Sequence, residues 1–362
     1  PLSPVQFSVN GQAQSVAAGT KTAFRLRPNL PFFFRLQSLT ENHTVWGRSA
    51  PAPSAAVNAQ GITRQRARLR PLAKGTFDMA KLTRAQRKAH AEAERILSKD
   101  RLTEDEREFV FNNWHEGADF NNAHAGAFFT PYDMAADFAI DAGQGRVVDL
   151  CAGIGVLSYF TIARSRWATE PASVTCIERN PRYVEIGKKL VPDAHWICAD
   201  VFDWREWWHD DLGGKTFDWA IGNPPFGRVR RTENGPRYHG PDFEVHVIDI
   251  ASQMADYGTF IIPQQSASFQ YSGRPYYERR TNGRGVEFEK LTGLVMESGA
   301  GVDTSIFKDE WKDTSIICEI ACFEFAEARE HREREIQRIA ANHVTAPARP
   351  AVALSLLAVG AL

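Results

Sequence analysis

The sequence predicts a doubly wound α/β fold on a mostly parallel, seven-stranded sheet, with additional helices toward the N-terminus. Three observations support this fold class: short apolar runs recur along the chain, helix-like patterns separate them, and glycine or polar residues directly follow several of the runs. Strands buried on both faces form continuous apolar runs, and ligands of such folds bind beyond the carboxyl ends of the strands. The runs therefore predict the sheet and also the edge where a functional site lies.

The first predicted strand leads into a glycine-rich loop. Arg-Val-Val-Asp-Leu at 146–150 is followed by Cys-Ala-Gly-Ile-Gly at 151–155 and then by a helical pattern. Ser158 occupies the position where a dinucleotide fingerprint needs a third glycine or alanine, which disfavours a pyrophosphate cofactor. Asp149 can orient the loop or bind a cationic amine. A backbone with so few side chains can approach a ligand closely, so we expect a cofactor to contact Ala152, Gly153 and Gly155.

Carboxylates follow the next two strands. Ser-Val-Thr-Cys-Ile at 173–177 leads to Glu178, where a βαβ fold places an acid that binds ribose hydroxyls. His-Trp-Ile-Cys-Ala at 195–199 leads to Asp200, which can accept a hydrogen bond from an adenine amino group. Each acid by itself could equally be a helix N-cap or a solvated strand end. We expect the cofactor also to contact the residues that follow the two acids, Arg179 and Val201.

The fourth predicted strand, Phe-Asp-Trp-Ala-Ile at 217–221, leads into Gly-Asn-Pro-Pro-Phe-Gly. Pro224 and Pro225 fix φ and lack backbone donors, so the turn is stiff and its carbonyls are free to accept hydrogen bonds. Asn223 can accept a further N–H group, and Phe226 offers a flat face for stacking. In isolation this tetrapeptide would simply be a stiff turn that caps a strand. With the three preceding strand ends, it predicts a pocket for a planar ring that carries an exocyclic amino group.

The remaining strands are predicted from the second half of the chain. Residues 245–255 have a helical pattern, and residues 258–263 are the predicted fifth strand. Residues 291–296 and 314–325 are predicted to form the antiparallel pair that completes the seven strands.

A further element, Phe-Phe-Thr-Pro at 128–131, stands just before the first strand. Together with Asn-Pro-Pro-Phe it resembles the class I S-adenosylmethionine-dependent methyltransferases, and within them the N6-adenine DNA methyltransferases. The order of the motifs matches the gamma group of bacterial and phage enzymes and is especially similar to the modification subunits of type I restriction-modification systems. The resemblance covers residues 126–325. The chain departs from the commoner family pattern in two conservative ways, with phenylalanine for tyrosine in the catalytic loop and Cys-Ala-Gly for Cys-Gly-Ser or Cys-Gly-Thr.

The resemblance implies methyl transfer from S-adenosylmethionine to N6 of adenine in DNA, with Asn223, Pro224, Pro225 and Phe226 as the catalytic residues. It adds Phe129, Thr130, Pro131 and Asn223 to the predicted cofactor-binding residues. Adenine in RNA, or a protein glutamine bound through a similar loop, is an alternative substrate, and a module that binds without turnover is a third interpretation. Because little chain remains for a recognition domain, recognition of the target sequence is expected from the loops at 227–243 and 264–290 or from a separate specificity subunit.

The distribution of charge bears on the partner. The formal net charge is −1, so the overall charge gives no sign of nucleic acid, but residues 227–237 and 264–284 are rich in arginine, and the second segment also contains tyrosines. Cations and aromatic rings beside a pocket suit a phosphate backbone and unstacked bases, although a solvated loop has a similar composition. The predicted nucleic-acid contacts are Arg228, Arg230, Arg231, Arg274, Arg279 and Arg280.

Outside the catalytic region of residues 126–326, the chain has three predicted parts. Residues 1–78 are low in complexity and are expected to have little fixed structure; Met79 is a plausible translation start, which would make them a dispensable extension. Residues 79–125 are predicted to contain two helices, the second starting with a capping box at Thr103. Residues 327–362 are predicted to be a charged helix and a disordered tail.

Cysteine spacing and hydropathy bear on metals and membranes. The five cysteines form no C-x-x-C pair and no zinc-like spacing with histidine, which is typical of reduced core thiols. No segment resembles a signal peptide, and the apolar run at 351–362 is too short to span a bilayer. We therefore expect a cytoplasmic protein that binds neither a metal nor a membrane.

Overall fold

The computed structural model describes residues 5–9, 12–16, 82–118, 128–312 and 314–345. The chain divides into two compact units, Pro1–Asp78 and Met79–Leu362. In the first unit, strands β1 (Val5–Val9) and β2 (Gln12–Val16) pair as an antiparallel hairpin. The alternation of apolar and polar residues in these two strands is typical of a β-hairpin, and the expectation of little fixed structure for residues 1–78 as a whole stays a prediction. Most of residues 1–78, and residues 346–362 of the predicted tail, lie outside the described residues.

The second unit is built on a six-stranded sheet with the order β10-β7-β6-β3-β4-β5. Adjacent strands are parallel except β10, which is antiparallel to β7. This confirms the predicted doubly wound, mostly parallel α/β fold. The strands of this unit, including a separate β8–β9 hairpin, are β3 (Arg146–Leu150), β4 (Ser173–Glu178), β5 (His195–Cys198), β6 (Phe217–Gly222), β7 (Ala255–Pro263), β8 (Phe269–Gln270), β9 (Glu278–Arg279) and β10 (Cys318–Glu324).

Helices cover both faces of the sheet. Neighbouring residues of a strand point to opposite faces, so Val147 belongs to one apolar core and Val148 to the other. The first core also contains residues of α1 to α5, and the second contains most of α7. The helices are α1 (Arg84–Leu97), α2 (Glu104–Asn113), α3 (Tyr132–Phe138), α4 (Val156–Ser165), α5 (Pro181–Leu190), α6 (Trp204–Glu206), α7 (Phe243–Met254), α8 (Arg284–Thr292) and α9 (Phe325–Thr345).

The two predicted N-terminal helices are α1 and α2. Each begins with a capping box, formed by Thr83 with Gln86 and by Thr103 with Glu106. Helix α1 is tied to α5, because Lys189 donates to the Leu97 carbonyl at the end of α1. Helix α2 is tied to α4, because the Tyr159 hydroxyl donates to Glu104 Oε2 at 2.5 Å. The two helices therefore contact the helices that follow β3 and β4, the strands whose ends carry predicted cofactor residues.

The predicted seventh strand at 291–296 is wrong for the described residues. There α8 continues to Thr292, and Gly293 ends it in the left-handed conformation with φ of +72°. The backbone N–H of Met296 donates to Glu289 Oε1, and its carbonyl accepts from Arg279. Because side chains occupy these backbone groups, pairing with β10 is reduced to a single bridge between Glu297 and Cys322.

Two further findings concern only the described part of the chain. None of its helices combines the length and the apolar character needed to cross a membrane. Its His, Cys, Asp and Glu side chains form no group of three or more that could hold a metal ion.

Candidate active site

A pocket opens at the carboxyl ends of β3, β4, β5 and β6. The order of the sheet changes direction at β3, with β4 on one side and β6 on the other, and doubly wound folds bind ligands at such a switch point. Nine of the predicted cofactor residues line this pocket: Phe129, Thr130, Ala152, Gly153, Glu178, Arg179, Asp200, Val201 and Asn223.

Three other predicted cofactor residues do not line the pocket. Asp149 is completely buried beneath the loop. Gly155 packs inward, where an added Cβ would lie 2.9 Å from the Trp196 ring. Pro131 stands at the N-cap of α3. Their positions indicate support of the pocket rather than contact with its contents.

Gly153 allows an aromatic ring to lie against the glycine-rich loop. It has φ of +59°, and an added Cβ would lie 3.0 Å from the Phe129 ring. The Phe129 ring is held in turn by an edge contact with Tyr183, with 5.0 Å between centroids. The Phe129 ring thus presents a flat apolar face beside the half-buried backbone of the glycine-rich loop.

Glu178 connects the loop to the neighbouring strand end. Its Oε2 accepts from the Gly153 N–H at 2.9 Å, and its Oε1 accepts from the Asn180 N–H at 2.7 Å. Burial raises the pKa of this carboxyl to about 6. Each oxygen retains a further acceptor site, so Glu178 can hold the loop and accept a ligand hydroxyl at the same time.

Asp200 combines a structural contact with a position in the pocket. Its Oδ1 accepts from the Phe202 N–H at 3.1 Å, so it caps the following turn, as the simpler interpretation of this acid predicted. Its Oδ2 lies 3.4 Å from the Arg179 guanidinium. Asp200 therefore faces the pocket as an oriented acceptor.

Asn223 has a fixed side-chain orientation. Its Nδ2 donates to the Phe128 carbonyl at 3.0 Å and to Thr130 Oγ1 at 2.9 Å, across 95 and 93 residues of sequence. A carbonyl can only accept, so the amide nitrogen must face Phe128. Asn223 Oδ1 is buried and has no hydrogen-bond partner among the described residues. The Phe-Phe-Thr-Pro element thus leaves this oxygen as an acceptor at the end of β6.

Phe226 is supported by a residue that the sequence did not indicate. Trp311, which is buried, contacts the Phe226 ring edge-on with 6.0 Å between centroids. Trp311 lies 85 positions further along the chain in an irregular segment, and no local pattern marks it. The structure also shows a second missed residue, Cys151, which lines the pocket with φ of +63°.

The two arginine-rich segments differ in how free their side chains are. In the first, Arg228 and Arg230 are exposed, and Arg230 also lines the pocket. Arg231 donates to Asn234 Oδ1 at 2.8 Å and to the Gly240 carbonyl at 2.9 Å. Arg228 and Arg230 are thus the cations of this segment that face solvent beside the pocket.

In the second segment, the guanidinium of Arg279 donates to both carboxylate oxygens of Glu289, at 2.8 and 2.9 Å, and stabilises the fold. Arg274 is exposed and donates to Gln270 Oε1 at 3.0 Å. Arg280 donates its backbone N–H to the Ser268 carbonyl. The role of these three arginines in nucleic-acid binding stays a prediction.

Asp149 should leave a signature in the pH dependence of stability. It accepts from Ser158 Oγ at 2.6 Å, and burial raises its pKa to about 7 from an ordinary value of 3.8. Between these values the folded state binds the proton more tightly than the unfolded chain, so the free energy of unfolding should fall as the pH rises from about 4 to about 7. In Asp149→Asn, the free energy of unfolding should fall between about pH 4 and pH 7 by a few kcal/mol less than in the parent, as measured by urea unfolding across that range.

The matched comparison is Glu178→Gln, because the raised pKa of Glu178 is about 6. In this variant, the free energy of unfolding should depend less on pH only up to about pH 6, and its pH dependence between pH 6 and 7 should match that of the parent. An Asp149→Asn profile that is parallel to the parent profile up to pH 7 would contradict the assignment.

Comparison with known proteins finds likeness at the level of structure. No known family profile and no curated protein matches the chain. A type I restriction-modification methyltransferase subunit from Streptococcus thermophilus is 14% identical, with 61% of this chain and 48% of that chain covered and a TM-score of 0.39.

Two further solved structures are similar. An S-adenosylmethionine-dependent methyltransferase from Agrobacterium tumefaciens is 18% identical, with 53% of this chain and 60% of that chain covered and a TM-score of 0.30. An rRNA methylase from Streptococcus thermophilus is 12% identical, with 54% and 96% covered and a TM-score of 0.31. At these TM-scores the likenesses do not bear on the activity of this chain. Its own sheet and pocket define it as a doubly wound α/β protein with a pocket at the switch point.

Proposed function

We propose that the protein is a methyltransferase that uses S-adenosylmethionine to methylate the exocyclic N6 amine of adenine in DNA. The observation that carries the proposal is the amide of Asn223, which is anchored through its nitrogen so that a buried oxygen is left to accept an N–H group. This acceptor stands between a pocket with cofactor chemistry and the aromatic ring of Phe226.

The residues of the pocket fit S-adenosylmethionine. Glu178 can accept from ribose hydroxyls, Asp200 can accept from the adenine amine, and the Gly153 backbone lies open beside the Phe129 ring. When bound, this cofactor supplies an electrophilic methyl group on a cationic sulfonium. These residues hold and orient it at the switch point of the sheet.

The Asn-Pro-Pro-Phe turn supplies what a poorly nucleophilic amine needs. The nitrogen lone pair of an adenine amine is delocalised into the ring. Hydrogen bonds from the amine to Asn223 Oδ1 and the Pro224 carbonyl favour a more tetrahedral nitrogen, and stacking on Phe226 holds the ring in line for transfer. No side-chain base is required before the bond forms, because the donor is cationic and the proton leaves afterwards.

DNA is favoured as the substrate by two features of the chain. The Phe-Phe-Thr-Pro element resembles that of N6-adenine DNA methyltransferases, and the exposed Arg228 and Arg230 beside the pocket suit phosphate contacts. A base in a duplex must be rotated out of the stack, at a cost of a few kcal/mol that stacking on Phe226 and phosphate contacts would offset. We also propose a cytoplasmic location and a separate specificity subunit as a partner.

The test is transfer of a tritiated methyl group from the cofactor to DNA, RNA and a glutamine-containing release-factor substrate, with digestion to identify the product. We expect N6-methyladenine from DNA. Label in RNA adenine or in glutamine would show that RNA or protein, rather than DNA, is the substrate. Cofactor binding without label in any of the three would indicate a binding module.

Removing the two exposed arginines should weaken DNA binding regardless of sequence. For Arg228→Ala with Arg230→Ala, the slope of log affinity against log salt should decrease by about two, one for each phosphate contact. Arg166→Ala is the control, since Arg166 is exposed beyond the opposite end of α4. A double variant with the parental affinity and slope would mean that this loop is not the DNA surface.

A further inference from the structure

Helix α7 carries three completely buried titratable side chains, Glu244, His246 and Asp249. Buried polar groups are costly unless they are hydrogen-bonded, so their partners show what the helix supports. In this helix all three bond to one segment, the loop of residues 227–242 that follows the Asn-Pro-Pro-Phe turn.

Two of these side chains hold the far part of the loop. His246 Nδ1 accepts from the Gly235 N–H at 2.8 Å, which makes Nε2 the donor to the Gly240 carbonyl at 2.8 Å. Asp249 Oδ2 accepts from the backbone N–H groups of Arg237 and Tyr238, at 2.6 and 2.8 Å. The loop is therefore held by the helix through its backbone, independently of any bound partner.

Glu244 holds the near end of the loop, directly after Phe226. Its Oε2 accepts from the Gly227 N–H at 2.7 Å, and its Oε1 accepts from Ser266 Oγ at 2.7 Å in the segment after β7. The Gly227 carbonyl accepts from the Phe243 N–H at 2.8 Å. Gly227 has φ of +76°, so the peptide groups on both sides of this left-handed residue are fixed.

We propose that Glu244 is a positioning residue for methyl transfer: by holding the Gly227 N–H and the Ser266 hydroxyl together, it fixes the direction of Phe226 and joins the catalytic turn to the segment after β7. The inference rests on the proposed function and identifies a further residue of the same site. Glu244 does not line the pocket, so it acts through Gly227 and not on the cofactor.

The test compares Glu244→Ala with Glu244→Gln in the full chain. The alanine variant should lower kcat on saturating substrate about 10- to 100-fold, because small misplacements of reacting groups have effects of this size. The cofactor Kd should change less than about threefold. The glutamine variant should recover most of the rate, since its oxygen can accept from Gly227 and its nitrogen can donate to Ser266 Oγ.

Ser165→Ala is the matched control for lost stability. Ser165 is buried at the end of α4, and its hydroxyl accepts from the Ala172 N–H at 2.8 Å, so the variant also removes an acceptor from a backbone donor. It should lower the melting temperature without lowering kcat. A glutamine variant as slow as the alanine variant, or an unchanged kcat in the alanine variant, would overturn the positioning role.

An independent readout separates this inference from the proposed function. Hydrogen exchange at the Gly227 amide should be slow in the parent and in Glu244→Gln and fast in Glu244→Ala, whatever the substrate proves to be. Equal exchange in all three would overturn the inference even if DNA is methylated. If the parent does not label DNA but the three proteins show the expected exchange pattern, only the proposed substrate would be overturned, and the role of Glu244 in holding Gly227 would stand.

Discussion

Replacing Asn223 with alanine should slow methyl transfer at least about a hundred-fold while the cofactor Kd changes less than about threefold. The variant deletes the buried Oδ1 that we assign as acceptor of the target amine, and it leaves Glu178 and the glycine-rich loop in place. Single-turnover transfer at saturating DNA measures the first effect, and calorimetry measures the second. Retention of more than a tenth of the rate would show that the amide oxygen is not required.

Thr130→Val provides a graded comparison. It removes one of the two acceptors that anchor Asn223 Nδ2 and keeps Oδ1 itself. If orientation of the amide matters, the rate should fall about tenfold, less than for Asn223→Ala. A loss as large as that of Asn223→Ala would instead indicate that Thr130 has a direct part in transfer.

Replacing Glu178 with alanine should weaken S-adenosylmethionine binding by roughly 1 to 3 kcal/mol, the scale of hydrogen bonds to a charged group. The loss has two sources, because Glu178 is assigned to the ribose hydroxyls and also accepts from the N–H groups of Gly153 and Asn180. Calorimetric titration with the cofactor gives the measurement. Unchanged affinity would mean that the ribose binds in another part of the pocket.

The pH dependence of cofactor affinity distinguishes these contacts further. Burial raises the pKa of Glu178 to about 6, so the parent should bind the cofactor more weakly as the pH falls below about 6 and the carboxylate becomes protonated. Glu178→Gln cannot titrate, so its affinity should stay flat over the same range. A parental profile that is equally flat would mean that the ionised form of Glu178 is not needed for binding.

The sequence predicted the central strands well because each has a local signature. Strands β3, β4, β5 and β6 are apolar runs that end in a glycine-rich loop, Glu178, Asp200 and Asn-Pro-Pro-Phe, and the parallel sheet brings these ends to one edge. Hydrophobic period and strand-end chemistry belong to neighbouring residues, so they can be detected without knowledge of the fold.

The sheet edge was less predictable because side chains from distant residues compete for backbone groups. Residues 291–296 look like a strand, but Arg279 and Glu289 occupy the backbone carbonyl and N–H of Met296. Arg279 is a second example of a contact between distant residues. The sequence predicts it only as a nucleic-acid contact, whereas in the structure its guanidinium also forms an ion pair with Glu289.

What the sequence by itself determined is the order of the strands along the chain and the chemical groups at their carboxyl ends, since both follow from local pattern. Only the tertiary structure decided which way the Asn223 amide faces, that Trp311 supports Phe226, and that Glu244 holds Gly227. The physical reason is that a hydrogen bond or ring contact depends on distances of a few ångströms between groups that can be 95 residues apart, as Asn223 and Phe128 are. Residue types and spacing specify such groups as donors, acceptors or rings, and the packing of the sheet and helices selects their partners.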